Sequence, residues 1–314
     1  MIITAVFIIG FSSCQKEGVY KPKEKIASIY RADSYNDKYL SEKWTWDGKK
    51  LETIEHFYVN HIGELKLDYT ENFKYDSKNR IEKVECTGID EYTQYKYDGN
   101  KLERIEHYGG NNLLQSAIVH YDGKKIGKIE YYVYEYDKNN TQKMCLLPKR
   151  VMDEIMSSAE KSKYQKSATM YVITLELNWD GDNVTKSKTY YTANYEDAYY
   201  DENTYEYIYN RYNTYYESVT TYSYDDKTNP LYGFRNMDFA YSYDSEMFGS
   251  FSKNNAVSTV SIGTNKVTIN GNLAYDNTST ITTNCLITYD GKVPTEIITS
   301  NSNNTTSTIF YEYK

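Results

Sequence analysis

Apolar and polar positions alternate along most of this chain, in short runs that end at tight-turn residues. The clearest unit is Trp46-Asp47-Gly48-Lys49-Lys50-Leu51 followed by Ile54. Tyr97-Asp98-Gly99-Asn100-Lys101-Leu102 followed by Ile105 repeats it, and so does Tyr121-Asp122-Gly123-Lys124-Lys125-Ile126 followed by Ile129. Tyr75-Asp76-Ser77-Lys78-Asn79-Arg80-Ile81 followed by Val84 is the same unit with one more turn residue. Degenerate copies begin at Trp179-Asp180-Gly181 and Tyr289-Asp290-Gly291.

The physics of the unit is local. An aromatic residue ends one strand, Asp-Gly supplies the positive-φ geometry of a two-residue hairpin loop, and an apolar strand begins after a basic residue. The units at 46, 75, 97 and 121 lie 29, 22 and 24 residues apart. That spacing predicts two short strands and two turns per repeat. Leu51 and Ile54 are three residues apart, which two-residue alternation does not produce. A β-bulge, or burial on both faces near the turn, is therefore expected.

One segment departs from the β pattern. After Pro148, Val151, Ile155 and Ala159 recur every four residues, and the spacing predicts one helix over 149–161. Strands resume in 170–179. The Tyr-crowded stretch 190–224 and the Thr- and Ile-rich stretches 257–269 and 281–289 also read as strands, and 309–314 reads as the closing one. The fold expected is all-β: one long antiparallel meander over 26–314, curled or closed as a barrel-like sheet, with one inserted helix. Closure would remove the sheet edges that such a chain must otherwise protect.

Composition narrows the function. A net charge of -8 argues against a nucleic-acid partner, since phosphate binding needs a basic surface. Tyrosine is the outlier, with 38 Tyr against 9 Phe and 3 Trp. It suits strand positions where the ring packs and the hydroxyl stays wet.

The first 13 residues, MIITAVFIIGFSS, form an apolar run too short to span a bilayer but of signal-peptide length. Small residues then precede Cys14, so residues 1–13 read as a signal peptide and Cys14 as the acylated anchor of a lipoprotein, with 14–25 as anchor and linker. No basic segment precedes the run, and the true start is expected upstream of Met1. Cys86, Cys145 and Cys285 then remain, an odd number with no CxxC spacing, and read as three buried thiols.

Taken together, the turn units resemble the tyrosine-aspartate (YD) repeats of large secreted shell proteins. More closely, the chain resembles a family of Gram-negative lipoproteins of unknown function with a porin-like β fold. That resemblance rests on the lipobox-like Phe11-Ser12-Ser13-Cys14, the Tyr-Asp-Gly-Lys units, Asn229-Pro230-Leu231, and Tyr289-Asp290-Gly291-Lys292-Val293-Pro294. It covers roughly residues 25 to 314. It implies the porin-like fold and an outer-membrane location, and it carries over no catalytic residues.

Candidate chemistry is sparse. His56 and His107 both follow Leu-Glu-x-Ile-Glu, but the same slot holds Cys86 and Tyr131 in other copies. A slot so filled reads as a semi-exposed strand position. No zinc spacing, phosphate-binding glycine loop or nucleophile elbow occurs. Glu52, Glu55, Glu103 and Glu106 recur beside Lys or Arg, which favours cross-strand pairing over acid catalysis. Glu196, Asp197, Asp201 and Glu202 lack calcium-loop spacing and read as a polar hairpin tip.

Tyr205, Tyr207 and Tyr209 alternate at period two and would share one strand face, with Tyr212, Tyr215 and Tyr216 in a neighbouring strand. Those rings are the candidate ligand platform, set against a ladder that only stabilises the sheet. The function expected is a non-catalytic envelope lipoprotein that binds a glycan, peptide or protein, with no cofactor. The alternatives are an envelope hydrolase using paired carboxylates and a membrane-spanning β-barrel.

Overall fold

The computed structural model describes residues 18–33, 37–134, 171–201, 203–234 and 251–314. The helix expected over 149–161, the signal peptide, Cys14 and Cys145 lie outside the described residues.

Among the described residues, sixteen antiparallel strands follow one another in chain order and close into a single barrel. They are β1 (Ile26–Asp33), β2 (Tyr39–Asp47), β3 (Lys50–Val59), β4 (Leu65–Tyr75), β5 (Ile81–Thr87) and β6 (Glu91–Asp98). Next come β7 (Lys101–Gly109), β8 (Asn112–Asp122), β9 (Lys125–Val133), β10 (Tyr171–Asp180) and β11 (Asn183–Asp201). β12 (Glu206–Thr228), β13 (Asn254–Ile269), β14 (Asn272–Asp290), β15 (Val293–Asn301) and β16 (Thr306–Tyr313) complete the ring. Closure is made by β1 against β16, with Ile29 opposite Tyr311 and Arg31 opposite Ile309.

The Asp-Gly units form the tight turns at one end. Gly48, Gly99, Gly123, Gly181 and Gly291 all have φ between 53 and 60°. The Asp is the last paired strand residue, as in Asp47 opposite Lys50, so positive φ falls on the glycine alone. The longer loop moves it to Asn79 at φ 61°, behind a turn in which Asp76 Oδ1 accepts from the amides of Lys78 and Arg80 at 2.8 and 2.9 Å.

The three-residue apolar spacing is a bulge, repeated at each unit. Trp46 faces Leu51 and Thr45 faces Thr53, which leaves Glu52 unpaired. Glu82, Glu103, Gly127, Thr185 and Thr295 are passed over in the same way. One extra residue brings Leu51 and Ile54 to the same face, and both are buried.

The basic residue of the unit reaches sideways to the next hairpin. Lys50 lies over the Tyr75 ring, Arg80 over Tyr97, Lys101 over Tyr121 and Lys125 over Trp179. Each of these rings in turn donates to the carbonyl of the first buried aliphatic in the hairpin before it. Tyr75 reaches Leu51 at 2.6 Å, Tyr97 reaches Ile81 at 2.7 Å, Tyr121 reaches Leu102 at 3.1 Å, and Trp179 Nε1 reaches Ile126 at 2.7 Å. Trp46 to Ile26, Tyr224 to Val184 and Tyr313 to Pro294 continue the series at 2.7, 2.5 and 2.7 Å. The aromatic and the lysine of the motif are thus the two halves of a lateral lock that runs around one end of the barrel.

Residues opposite one another share a face, so buried partners trace the lumen. Tyr95, Ile105, Ala117, Tyr131, Ile173 and Tyr191 stand in register across six strands and are all buried. A round barrel of about 16 strands leaves an aqueous channel. Here residues outside the strands help to fill the turn end. Phe234 and Tyr20 pack with ring centroids 4.7 Å apart, and Phe234 lies 5.4 Å from Trp44. Asn229 holds the Phe234 segment in place, accepting from the Leu231 amide at 2.9 Å and donating to the Ser252 carbonyl at 3.0 Å. Tyr20 donates to the Pro230 carbonyl at 2.7 Å. Tyr20, in the stretch read from sequence as linker, is therefore a core residue.

Candidate functional site

Two regions carry chemistry: a polar belt inside the lumen and a flap that rises beyond the rim.

The belt lies above the apolar turn-end layer. Glu42 accepts from Trp44 Nε1 at 3.0 Å and stands 3.4 Å from Arg31. His56 Nε2 lies 3.5 Å from Glu71, and its ring stacks on Tyr69 at 4.3 Å. Burial pulls the His56 pKa down, but the hydrogen bond and charge of Glu71, with Glu42 behind it, outweigh this and hold it above the ordinary histidine value. His107 Nδ1 is 3.2 Å from Thr93 Oγ1, and its Nε2 is 3.6 Å from Glu91. Burial pushes His107 down to about 4, against a smaller opposing effect of the Tyr92 backbone. Burial, with Glu71 and Glu91 nearby, raises the Cys86 thiol.

The repeat slot that holds His56, Cys86, His107 and Tyr131 therefore faces the lumen, and His107 and Tyr131 are buried. The expectation of a semi-exposed slot holds for half-buried His56 and Cys86 and is corrected for His107 and Tyr131, which the bulge after each turn rotates inward. Cys86 and Cys285 are half-buried thiols outside any disulfide. Among the described residues, no group of three His, Cys, Asp or Glu is placed to hold a metal ion.

The recurrent carboxylates go elsewhere. Glu52 and Glu103 are bulge residues, while Glu55 pairs with Lys43 at 3.1 Å and Glu106 with Lys96 at 2.8 Å on the outer face. Lys83–Glu85, Lys128–Glu130 and Lys188–Glu217, at 2.8, 2.9 and 2.8 Å, continue this lattice around the outside.

The flap is built by four unequal strands. β11 has 19 residues, β12 23, β13 16 and β14 19, against 7 to 11 in the strands from β1 to β10 and in β15 and β16. The last described β10–β11 pair is Ile173 with Tyr191, and the last β14–β15 pair is Thr283 with Asn301. Beyond these the four strands run on for about 10 residues, or about 33 Å at about 3.3 Å per residue.

Tyr207 and Tyr209 project from the outer face of the flap, 63% and 68% exposed. Tyr205 is 77% exposed and sits in the turn before β12, at φ 57°. It does not alternate within the strand, because the chain reverses at Asn203-Thr204-Tyr205. Tyr212, Tyr215 and Tyr216 lie further along β12 itself rather than in a neighbouring strand. Tyr216 faces the lumen beside Tyr191, with ring centroids 5.3 Å apart. Glu196 of the acidic stretch pairs with Arg211 at 2.7 Å.

No family profile and no curated protein matches this chain. Among solved structures it is similar to a porin-like protein from Bacteroides vulgatus, at 11% identity over 93% of this chain and 99% of that one, with a TM-score of 0.27. It also matches the TcdB2-TccC3-Cdc42 structure at 11% identity, over 85% of this chain and 16% of that chain, with a TM-score of 0.21. At these identities and scores neither neighbour says what the chain does.

Proposed function

We propose that this chain is a non-catalytic, lipid-anchored barrel of the cell envelope that stands in water and offers its flap to a glycan, peptide or protein. The observation that carries this reading is the sidedness of the ring. Membrane barrels turn an apolar band about 25 Å tall to lipid and keep a polar interior. The lumen of this barrel holds the aliphatic and aromatic core together with the polar belt, and its outer face carries the Lys–Glu lattice from β2 to β12, beside exposed Val260, Ile262 and Leu286 on β13 and β14. A Lys or Arg at the bilayer midplane costs about 2–4 kcal/mol, so repeated outward cations favour water over lipid.

The proposed anchor fits the turn end. The Gly18 carbonyl accepts from the Ile81 amide at 2.9 Å, beside the tight turns. Gly18 lies four positions after Cys14, a span of at most about 14 Å. A lipid on Cys14 would hold the turns toward the membrane and the flap away from it. Tyr205, Tyr207 and Tyr209 would then be the most distant aromatic surface, with exposed faces on which sugar rings or peptide side chains could stack.

Cell fractionation tests the reading. Cys14→Ala should move the protein from the membrane fraction to the soluble fraction without detergent. Retention in the membrane by the variant would refute the anchor, and a requirement for detergent would refute the water-facing barrel.

A further inference from the structure

We propose that the free β14 edge of the flap pairs with the same edge of a second copy of this chain, giving an antiparallel dimer with one continuous eight-stranded sheet. Closure removes every edge of the barrel proper, but β14 runs on beyond its last described pairing with β15 and presents an edge there. At the β14 side the ladder ends where the Ser302 amide donates to the Thr282 carbonyl at 2.9 Å and the Thr282 amide donates to Ser302 Oγ at 3.3 Å. Both backbone groups of Thr282 thus point away from β13. In an antiparallel strand this direction recurs every second residue, so Thr280, Thr278 and Asp276 present their N–H and C=O to the open side. No described residue pairs with them there. Asn272 to Thr280 are exposed throughout.

Natural sheets blunt such edges with lysine, proline, inward charge or a covering element. The stretch Asn272–Ile281 has no lysine and no proline. Its single charge, Asp276, is already paired with Lys266 of β13 at 3.3 Å. On the β11 side the described β10 pairing ends at Tyr191, and the sequence beyond carries Asp197 and Asp201 besides the Arg211-paired Glu196, so two β11 strands would repel. Charge therefore selects β14 against β14. A register centred on Thr278 sets Asp276 of each copy opposite Thr280 of the other, so no like charges meet. Because the pairing is antiparallel, the two barrels point in opposite directions and their N-termini lie at opposite poles. If copies are anchored through Cys14, as proposed above, they would pair across facing surfaces.

Sedimentation equilibrium on the full chain carrying Cys14→Ala tests the pairing itself, whether or not that residue is an anchor. A concentration-dependent dimer is expected. Thr278→Pro removes an edge donor without touching the β13 ladder, and a proline facing solvent is tolerated there. Thr278→Lys sets two ammonium groups against each other across the two-fold axis. Each should weaken the dimer at least about tenfold while the melting temperature of the monomer is kept. Glu196→Gln on the opposite edge should leave the dimer unchanged. A native monomer at all concentrations would overturn the proposal. So would a dimer indifferent to both Thr278 variants, or one weakened equally by Glu196→Gln.

Discussion

The Arg80 guanidinium lies 3.9 Å from the centre of the Tyr97 ring, and the Tyr97 hydroxyl donates to the Ile81 carbonyl at 2.7 Å. Arg80 also donates to the Gly99 carbonyl at 2.7 Å and to Asp76 at 2.7 Å. One side chain thus joins its own turn to the ring and the turn of the next hairpin. Tyr97→Phe should keep the stacking and lose the hydroxyl bond, at a cost of about 1 kcal/mol. Tyr97→Leu should cost a further contribution of about 0.5–1 kcal/mol from the lost cation–π contact. Denaturant unfolding of the single and double variants with Arg80→Ala measures the coupling; strict additivity would show that the lock is only a proximity.

The turn glycines should be limited by backbone geometry alone. A Cβ at Gly48 or Gly123 meets nothing within 4 Å, yet φ is 53 and 60°. Gly123→Ala should therefore destabilise by about 1–2 kcal/mol, the cost of a left-handed L-residue. Gly123→Asn should be milder, since Asn already occupies this conformation at Asn79 and Asn304. Equal melting temperatures for the two variants would contradict this account.

His56 and His107 should make opposite contributions to stability as pH changes. His107 is held neutral, with its pKa down at about 4 against 6.5 unfolded. The unfolded chain binds more protons in that window, so the His107 contribution is present above about 6.5 and is lost as pH falls toward 4. The loss is on the order of 3 kcal/mol. His56 has a raised pKa, so its contribution is full below the unfolded value and is lost as pH rises through the folded one. Comparing His107→Gln and His56→Gln with the native chain over pH 4 to 8 should show the first difference shrinking on acidification and the second growing. Parallel pH profiles would show that the imidazoles do not titrate as described.

These histidines also mark where the sequence stops being informative. The turn units were legible because they are local: an aromatic, Asp-Gly and a basic residue fix the loop within six positions. The bulge was legible as one of two options because Leu51 and Ile54 break alternation by one residue. The burial of His107 and Tyr131 was missed because His, Cys and Tyr carry no apolar signature, so the face of their slot depends on the bulge four positions before it. The meander was legible, but closure joins Ile26 to Tyr313, and no local pattern encodes a contact across nearly the whole chain. The packing of Tyr20 against Phe234 was hidden for the same reason. In the Tyr-rich stretch, alternation was right for Tyr207 and Tyr209. It failed at Tyr205 because a tyrosine at positive φ is uncommon and the turn lacks a glycine.

The flap tyrosines give the last prediction. Tyr207 and Tyr209 are more than half exposed on the outer face, and surface substitutions of this kind usually change stability by no more than about 0.5 kcal/mol. Tyr205→Ser should behave similarly, since Tyr205 is the most exposed of the three rings at 77%. The triple variant Tyr205→Ser, Tyr207→Ser, Tyr209→Ser should therefore unfold within a few degrees of the native chain. That stability separates packing from recognition, because a ring that supports the sheet would be missed on unfolding. If these rings form the ligand platform, the variant should lose binding in a glycan array or cell-surface pull-down at temperatures where it stays folded. Intact binding by the folded variant would remove the three tyrosines from the site. A large drop in melting temperature would instead show that they act as a cross-strand ladder, worth about 0.2–1 kcal/mol per pair.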